Sequence, residues 1–170
     1  MSSPLILHSD EYFMRKALAE AEDAGERGEV PIGAVVVHQN RVIARAANQV
    51  EMLKDATAHA EMVAITQAAA HLGNWRLSEC TLYVTKEPCA MCAGAMVNAK
   101  LGKLVFGCDD PRSGAAGGAL DITGFPGMLY KVEVSRGVLA EACLEVIQRF
   151  FKRRRAEGKT KKGEGIEEGQ

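Results

Sequence analysis

Four side chains in two short motifs carry the chemistry this sequence could do. Cys89 and Cys92 lie three residues apart in EPCAMC, and His59 and Glu61 lie two apart in THAE-like ATAHAE. Helix positions three apart share a face, so both sulfurs can reach one point. A helix N-terminus lowers a thiol pKa and favours the thiolates that bind metal. CxxC alone is ambiguous, because a metal site, a thioredoxin-like redox site and inert burial all fit it. His59 weighs toward metal: one imidazole and two thiolates are the borderline-soft donors that zinc prefers. Three protein ligands leave the fourth tetrahedral position open, as in catalytic zinc sites. Cys80, Cys108 and Cys143 stand singly in apolar or loop settings, where core packing is expected. His8, His38 and His71 are expected to be surface or satisfied histidines.

Glu61 poses a separate question. Two residues on a helix are about 200° of rotation, so His59 and Glu61 do not share an ideal face. That permits a metal off the helix end, held by His59, with the longer Glu61 reaching toward the open position. A carboxylate there would carry protons for a water whose pKa zinc lowers to about 7. Such acid–base help is usually worth about 10²- to 10⁴-fold. An amidine-like carbon, as in adenine or cytosine, suits this chemistry. The competing reading is an ordinary first-turn glutamate stabilised by the helix dipole.

These side chains need elements to hold them. Ser9 is an expected N-cap, and Phe13, Ala17, Ala21 and Ala24 recur at helical spacing before Gly25. EVPIGAVVVHQNRVIARAAN reads as two strands around Gln39–Asn40, and residues 49–56 as a loop. A helix is expected from the N-cap Thr57 to Gly73, a strand over 81–85, and a helix opened by Pro88 across CAMCAGAMVNA. A strand over 103–107, a Gly/Ala loop, a strand over 130–134 and a terminal amphipathic helix follow. That helix has Leu139, Ala142, Cys143, Val146, Ile147 and Phe150 on its inner face. The alternation implies an α/β domain in layers, with helices covering a mixed sheet.

The chain has 170 residues, enough for one domain with a core of its own. With 47% hydrophobic and 25% charged residues, it is neither wholly disordered nor a disulfide mini-protein. Its N-terminus has no basic start and only a short apolar patch, Pro4–Leu7, so no signal peptide and a cytoplasmic location are expected. No apolar run is long enough to span a membrane. Charge is uneven: residues 1–148 hold 13 basic and 18 acidic residues, a net of −5, whereas 149–162 hold 8 and 1, a net of +7. A basic cluster on an acidic body can meet a polyanion, or be a solvated helix end. The domain is expected to span 1–155, with 156–170 a low-complexity, disordered charged tail.

HAE followed by PCAMC, with 29 residues between His59 and Cys89, resembles the signature already known for the zinc-dependent nucleoside and nucleotide deaminases. EVPIGAVVV, DATAHAE, TLYVTKEPCAMCAGAM, VFGCDDPRSGAAGG and FPGML, in that order, resemble the bacterial tRNA-specific adenosine deaminases within that superfamily, over about residues 9–155. The resemblance implies a three-layer α/β/α cytidine-deaminase-like fold with a mixed central sheet of about five strands. It implies one zinc per subunit, held by His59, Cys89 and Cys92, with Glu61 as proton shuttle. It implies a homodimer that converts the wobble adenosine of a tRNA anticodon stem-loop to inosine. It places Val30, Pro31, Asn48, Ala60, Asp110, Phe151 and Arg154 against the substrate. Ala56, Lys86 and Cys108 depart from the family's pattern, outside the ligand set. A free-base or nucleoside deaminase acting on guanine or cytosine would share the zinc core. A catalytically silent zinc-binding RNA module leaves Glu61 without a role, and a redox protein leaves both His59 and Glu61 without one.

Overall fold

The computed structural model describes residues 7–167. Most of the apolar N-terminal patch and the last three residues of the expected tail lie outside that range.

Helix α1 (Asp10–Glu26) starts as its sequence dictates, with the Ser9 hydroxyl accepting the Tyr12 N–H at 3.2 Å. Its buried face carries Ala17, Ala21 and Ala24, small enough to bring the helix down onto β1 (Gly33–His38). Gly33 completes this close approach, because a Cβ there would collide with the Ala17 carbonyl. A tight turn leads to β2 (Arg41–Ala47); Gln39 and Asn40 both have positive φ, 49° and 62°, which matches the twist of a hairpin.

Residues 49–56 are not all loop. Val50–Leu53 form one helical turn, α2, whose Glu51 and Met52 N–H groups donate to the buried Glu29 carboxylate at 3.0 and 2.7 Å. Helix α3 (Ala60–Leu72) ends at Gly73 in the left-handed region, as expected. Its N-cap is His59 rather than Thr57, because Thr57 is committed to Asp55, bonding its carboxylate through N–H and hydroxyl at 2.8 and 2.7 Å. Strand β3 (Cys80–Lys86) leads to α4 (Ala90–Asn98), with Cys89 at the N-cap and Pro88 just outside the helix. Strand β4 (Lys103–Cys108) follows. The last strand, β5, is Glu133–Ser135 rather than 130–134; Tyr130 instead donates its hydroxyl to the Leu101 carbonyl at 3.0 Å.

The sheet order is β2-β1-β3-β4-β5. β1 runs antiparallel to β2 and β3, and β3, β4 and β5 are mutually parallel, so the sheet is mixed. Side-chain alternation splits the core in two. Val35, Val37, Tyr83 and Val105 face α1 and the terminal helix α5 (Ala140–Glu167). Ala34, Val36, Leu82, Val84, Leu104 and Phe106 face α3 and α4. The result is the expected three-layer α/β/α fold.

On α5, Cys143, Val146, Ile147 and Phe150 are buried, Leu139 is half-buried, and Ala142 is exposed, one position off the apolar stripe. The helix carries on through residues 156–167, beyond the expected domain boundary at 155. Lys, Arg, Glu and Ala are good helix formers, and Arg153 and Glu157 pair one turn apart at 3.9 Å.

Candidate active site

Two helix N-termini in one layer meet at the reactive cluster. His59 caps α3 and Cys89 caps α4, each in extended backbone, so each side chain leaves the helix end instead of lying along its flank. Cys92, in the first turn of α4, is fully buried. The His59 Nδ1 lies 3.6 Å from the Cys89 Sγ and 3.5 Å from the Cys92 Sγ. The three donor atoms lie within 4.8 Å of one another, a group that can hold one metal ion. Because His59 stands before the helix, the 200° rotation between helical positions does not separate it from Glu61. The Glu61 carboxylate is buried, 4% exposed, and shares with His59 the lining of one cavity.

Burial pushes the Glu61 carboxyl above its ordinary pKa, against the opposing pull of its own N–H, the Cys92 thiol and His59. The metal-free thiols split. A hydrogen bond from the Cys92 thiol draws Cys89 down to about 5, while that same bond, together with burial, pushes Cys92 up.

A cavity of about 350 Å³ opens above the cluster, with His59, Ala60 and Glu61 in its lining. Of the other expected substrate contacts, Val30, Asn48, Phe151 and Arg154 line it. Pro31 does not: it is buried in a neighbouring groove between α1 and α5, beside Gly25 and Arg153. Asp110 does not line the cavity either. Its carboxylate accepts from the Ser113 hydroxyl at 2.7 Å, the Arg112 and Ser113 N–H groups at 3.0 and 3.2 Å, and Lys86 at 2.9 Å. Burial alone would raise the Asp110 pKa, but these partners hold it well below the carboxylate range. Lys86 is thus the counter-ion of a loop carboxylate. Ala56 is exposed, and Cys108 is buried with its thiol toward the Thr85 carbonyl at 3.5 Å.

The cavity wall also includes Glu29, Ile32 and Phe150, which motif spacing did not mark. Ile32 comes to the cavity beside Val30 through a tight turn at Pro31, its N–H donating to the Val30 carbonyl at 2.8 Å. Asn48 is 7% exposed, and its Oδ1 has no hydrogen-bond partner among the described residues. An unpaired buried acceptor costs about 1–3 kcal/mol, so this atom is set for a donor that arrives with a ligand. At the mouth, Phe151 is 42% exposed, and the Arg153 and Arg154 guanidinium groups lie 5.8 and 5.6 Å from the Phe150 ring. Every residue from 151 to 160 is exposed, the basic run from Lys152 to Arg155 among them.

Comparison with known proteins places this geometry in a defined setting. The MafB19-like deaminase family matches residues 8–155. The tRNA-specific adenosine deaminase of Bacillus subtilis (strain 168) is 45% identical over 150 residues, which is 88% of this chain and 93% of the relative. The tRNA-specific adenosine deaminase of Streptococcus pyogenes serotype M3 is 40% identical over 159 residues, covering 94% of this chain and 93% of the relative. A solved structure from a study of A-to-I editing by tRNA:A34 deaminases superimposes with a TM-score of 0.77 at 44% identity, covering 79% of this chain and 98% of that one.

Proposed function

The chain belongs to the MafB19-like deaminase family, and from that premise we propose that it hydrolyses adenosine to inosine at the wobble position of a tRNA anticodon loop. The observation that carries this reading is Glu61, a buried carboxylate beside His59, Cys89 and Cys92 on a cavity that also holds the unpaired Asn48 carbonyl.

His59, Cys89 and Cys92 fit zinc. Tetrahedral bonds of about 2.3 Å to sulfur and 2.0–2.1 Å to nitrogen set those atoms roughly 3.5–3.6 Å apart. The two nitrogen–sulfur separations, 3.6 and 3.5 Å, agree with that spacing. When bound there, zinc supplies Lewis acidity that lowers the pKa of water to about 7.

The protein's own groups do the rest. Glu61 accepts a proton from the attacking water and passes it to the ring nitrogen next to the carbon that bears the amino group. The second water proton leaves with the departing ammonia, so adenosine and water give inosine and ammonia. Burial raises the Glu61 pKa, which favours its taking up a proton and handing it on. Asn48 offers its carbonyl as an acceptor that orients the nucleoside, and Val30, Ile32 and Ala60 enclose the base. Phe151 offers a stacking face at the mouth, and Arg154 a cation for the backbone. A loop base is already unstacked and costs little to extrude. A free-base deaminase would leave Phe151, Arg154 and the exposed basic helix without a role.

We propose Asp110 as the residue that sets the loop beside the anticodon arm rather than as a wall of the base pocket. The homodimer and the cytoplasmic location are further proposals, supported by the exposed Met52 and Leu53 on α2 and by the tRNA substrate. Among the described residues, no helix is long and apolar enough to cross a membrane. The functional test is inosine formation in a synthetic anticodon hairpin, run beside free adenosine, guanine and cytosine. Faster turnover of a free base than of the hairpin would overturn the reading.

A further inference from the structure

Glu87 has no part in the chemistry above, yet it is 3% exposed and its carboxylate is fully engaged. One oxygen accepts the Asp110 N–H at 3.1 Å; the other accepts the N–H groups of Ala116 at 3.1 Å and Gly118 at 2.8 Å. Gly114 and Gly118 crowd against it so closely that a Cβ on either would collide with the carboxylate. The loop gathered in this way, residues 110–118, presses on the peptide that carries a metal ligand. The Ala115 N–H donates to the Pro88 carbonyl at 2.8 Å, and Gly114 forms a bridge with Cys89. The Glu87 N–H in turn donates to the Cys108 carbonyl at 2.9 Å, tying the end of β3 to β4. Cys92 sits within α4, but Cys89 stands at its extended cap and depends on this flanking framework for its direction.

We propose that Glu87 is a positioning residue for the metal centre: by holding residues 110–118 against Pro88 and Cys89, it fixes where the Cys89 Sγ points. The inference rests on reading His59, Cys89 and Cys92 as metal ligands. Groups that orient ligands in this way typically account for about 10- to 100-fold in metal affinity. Glu87→Gln tests it, because three N–H donors face two oxygens and an amide loses at least one of those bonds whichever way it turns. Zinc affinity is measured by chelator competition, and the cobalt(II)-substituted protein gives the thiolate-to-metal charge-transfer spectrum. Glu87→Gln is expected to weaken zinc about 10- to 100-fold and to alter that spectrum. Asp110→Asn, which loosens the same loop at its Lys86 end while Glu87 stays, is expected to keep zinc affinity within about twofold of wild type and the cobalt spectrum unchanged. If Glu87→Gln does not fold, Gly118→Ala, which crowds the same carboxylate from the loop side, is expected to give the same loss. Wild-type zinc affinity and cobalt spectrum in Glu87→Gln, or in Gly118→Ala where that variant replaces it, overturn the proposal. So does equal weakening by Asp110→Asn, which would make the effect one of loop stability alone. A wild-type protein that binds no zinc overturns the ligand assignment itself, and is recognised before any variant is made.

Discussion

Replacing Asn48 with alanine should separate folding from function. The side chain is 7% exposed, and its Oδ1 meets no donor, so the folded protein carries the cost of a desolvated carbonyl. That cost is about 1–3 kcal/mol, and removal of the group returns it. Against this stands lost packing of a small polar side chain on a cavity wall, of the order of 1 kcal/mol for each buried carbon-sized group. The backbone bond from the Asn48 N–H to the Ile32 carbonyl, at 3.1 Å, does not involve the side chain and survives. The balance is a stability change within about 1 kcal/mol of zero, a melting shift of no more than about 2–4 °C in a chain of this size. Catalysis should respond differently. Without the carbonyl a donor of the bound nucleoside is left buried and unpaired, at about 1–3 kcal/mol in the reacting complex, so kcat/KM for the hairpin should fall roughly 5- to 150-fold. Thermal melts of the zinc-loaded protein and single-turnover deamination of one hairpin give the two numbers. Destabilisation beyond about 2 kcal/mol would show that the carboxamide holds the fold. Unchanged kcat/KM would show that the unpaired carbonyl does not meet the nucleoside.

Glu61→Gln should retain its zinc, measured by elemental analysis, and lose about 10²-fold or more in single-turnover rate; lost zinc would make Glu61 a ligand instead. Asp110→Asn should cost about 1–3 kcal/mol near neutral pH, read by denaturant titration, because Lys86, Ser113 and two N–H groups lose a charged acceptor. The folded Asp110 pKa lies below the unfolded value, so its stabilisation is present above roughly pH 4 and is lost as pH falls through the folded value. The Asp110→Asn variant should therefore show a shallower loss of stability below about pH 4 than wild type, and parallel curves would contradict the assignment. Neutralising Lys152, Arg154 and Arg155 together, all exposed, should leave the melt unchanged and flatten the slope of log K against log salt by roughly 0.7–0.9 for each phosphate that these side chains neutralise. An unchanged slope would make this stretch of α5 a solvated helix only.

The meeting of His59, Cys89 and Cys92 in one cluster was legible because each stands at or just inside a helix start. The strands and their faces were legible from alternation, as Val35 and Val37 against Ala34 and Val36 show. What escaped depends on partners distant in sequence. Helix α2 forms around the carboxylate of Glu29, more than twenty positions earlier, and nothing in VEML itself demands a helix. Thr57 has the right chemistry for a cap, but Asp55 claims it first. Pro31 is the middle of a tight turn in which the Ile32 N–H donates to the Val30 carbonyl at 2.8 Å, so Val30 and Ile32 line the cavity and Pro31 the neighbouring groove. Asp110, expected against the substrate, instead has its carboxylate engaged by Ser113 within its own loop and by Lys86, which the end of β3 brings beside it. Glu87 opens the EPCAMC stretch, but its contacts with residues 110–118 form only once that loop folds back over it.

The central claim is deamination at one position of a tRNA by a carboxylate acting beside the three-ligand cluster. Its most direct test is sequencing of a tRNA pool, with mass analysis of its nucleosides, after incubation with the wild-type protein and with Glu61→Gln in parallel. Inosine at the wobble adenosine with wild type, and at least about 10²-fold slower appearance with Glu61→Gln, is the predicted result. A pool that wild type leaves unedited at that position, or edits at the same rate with Glu61→Gln, would contradict it.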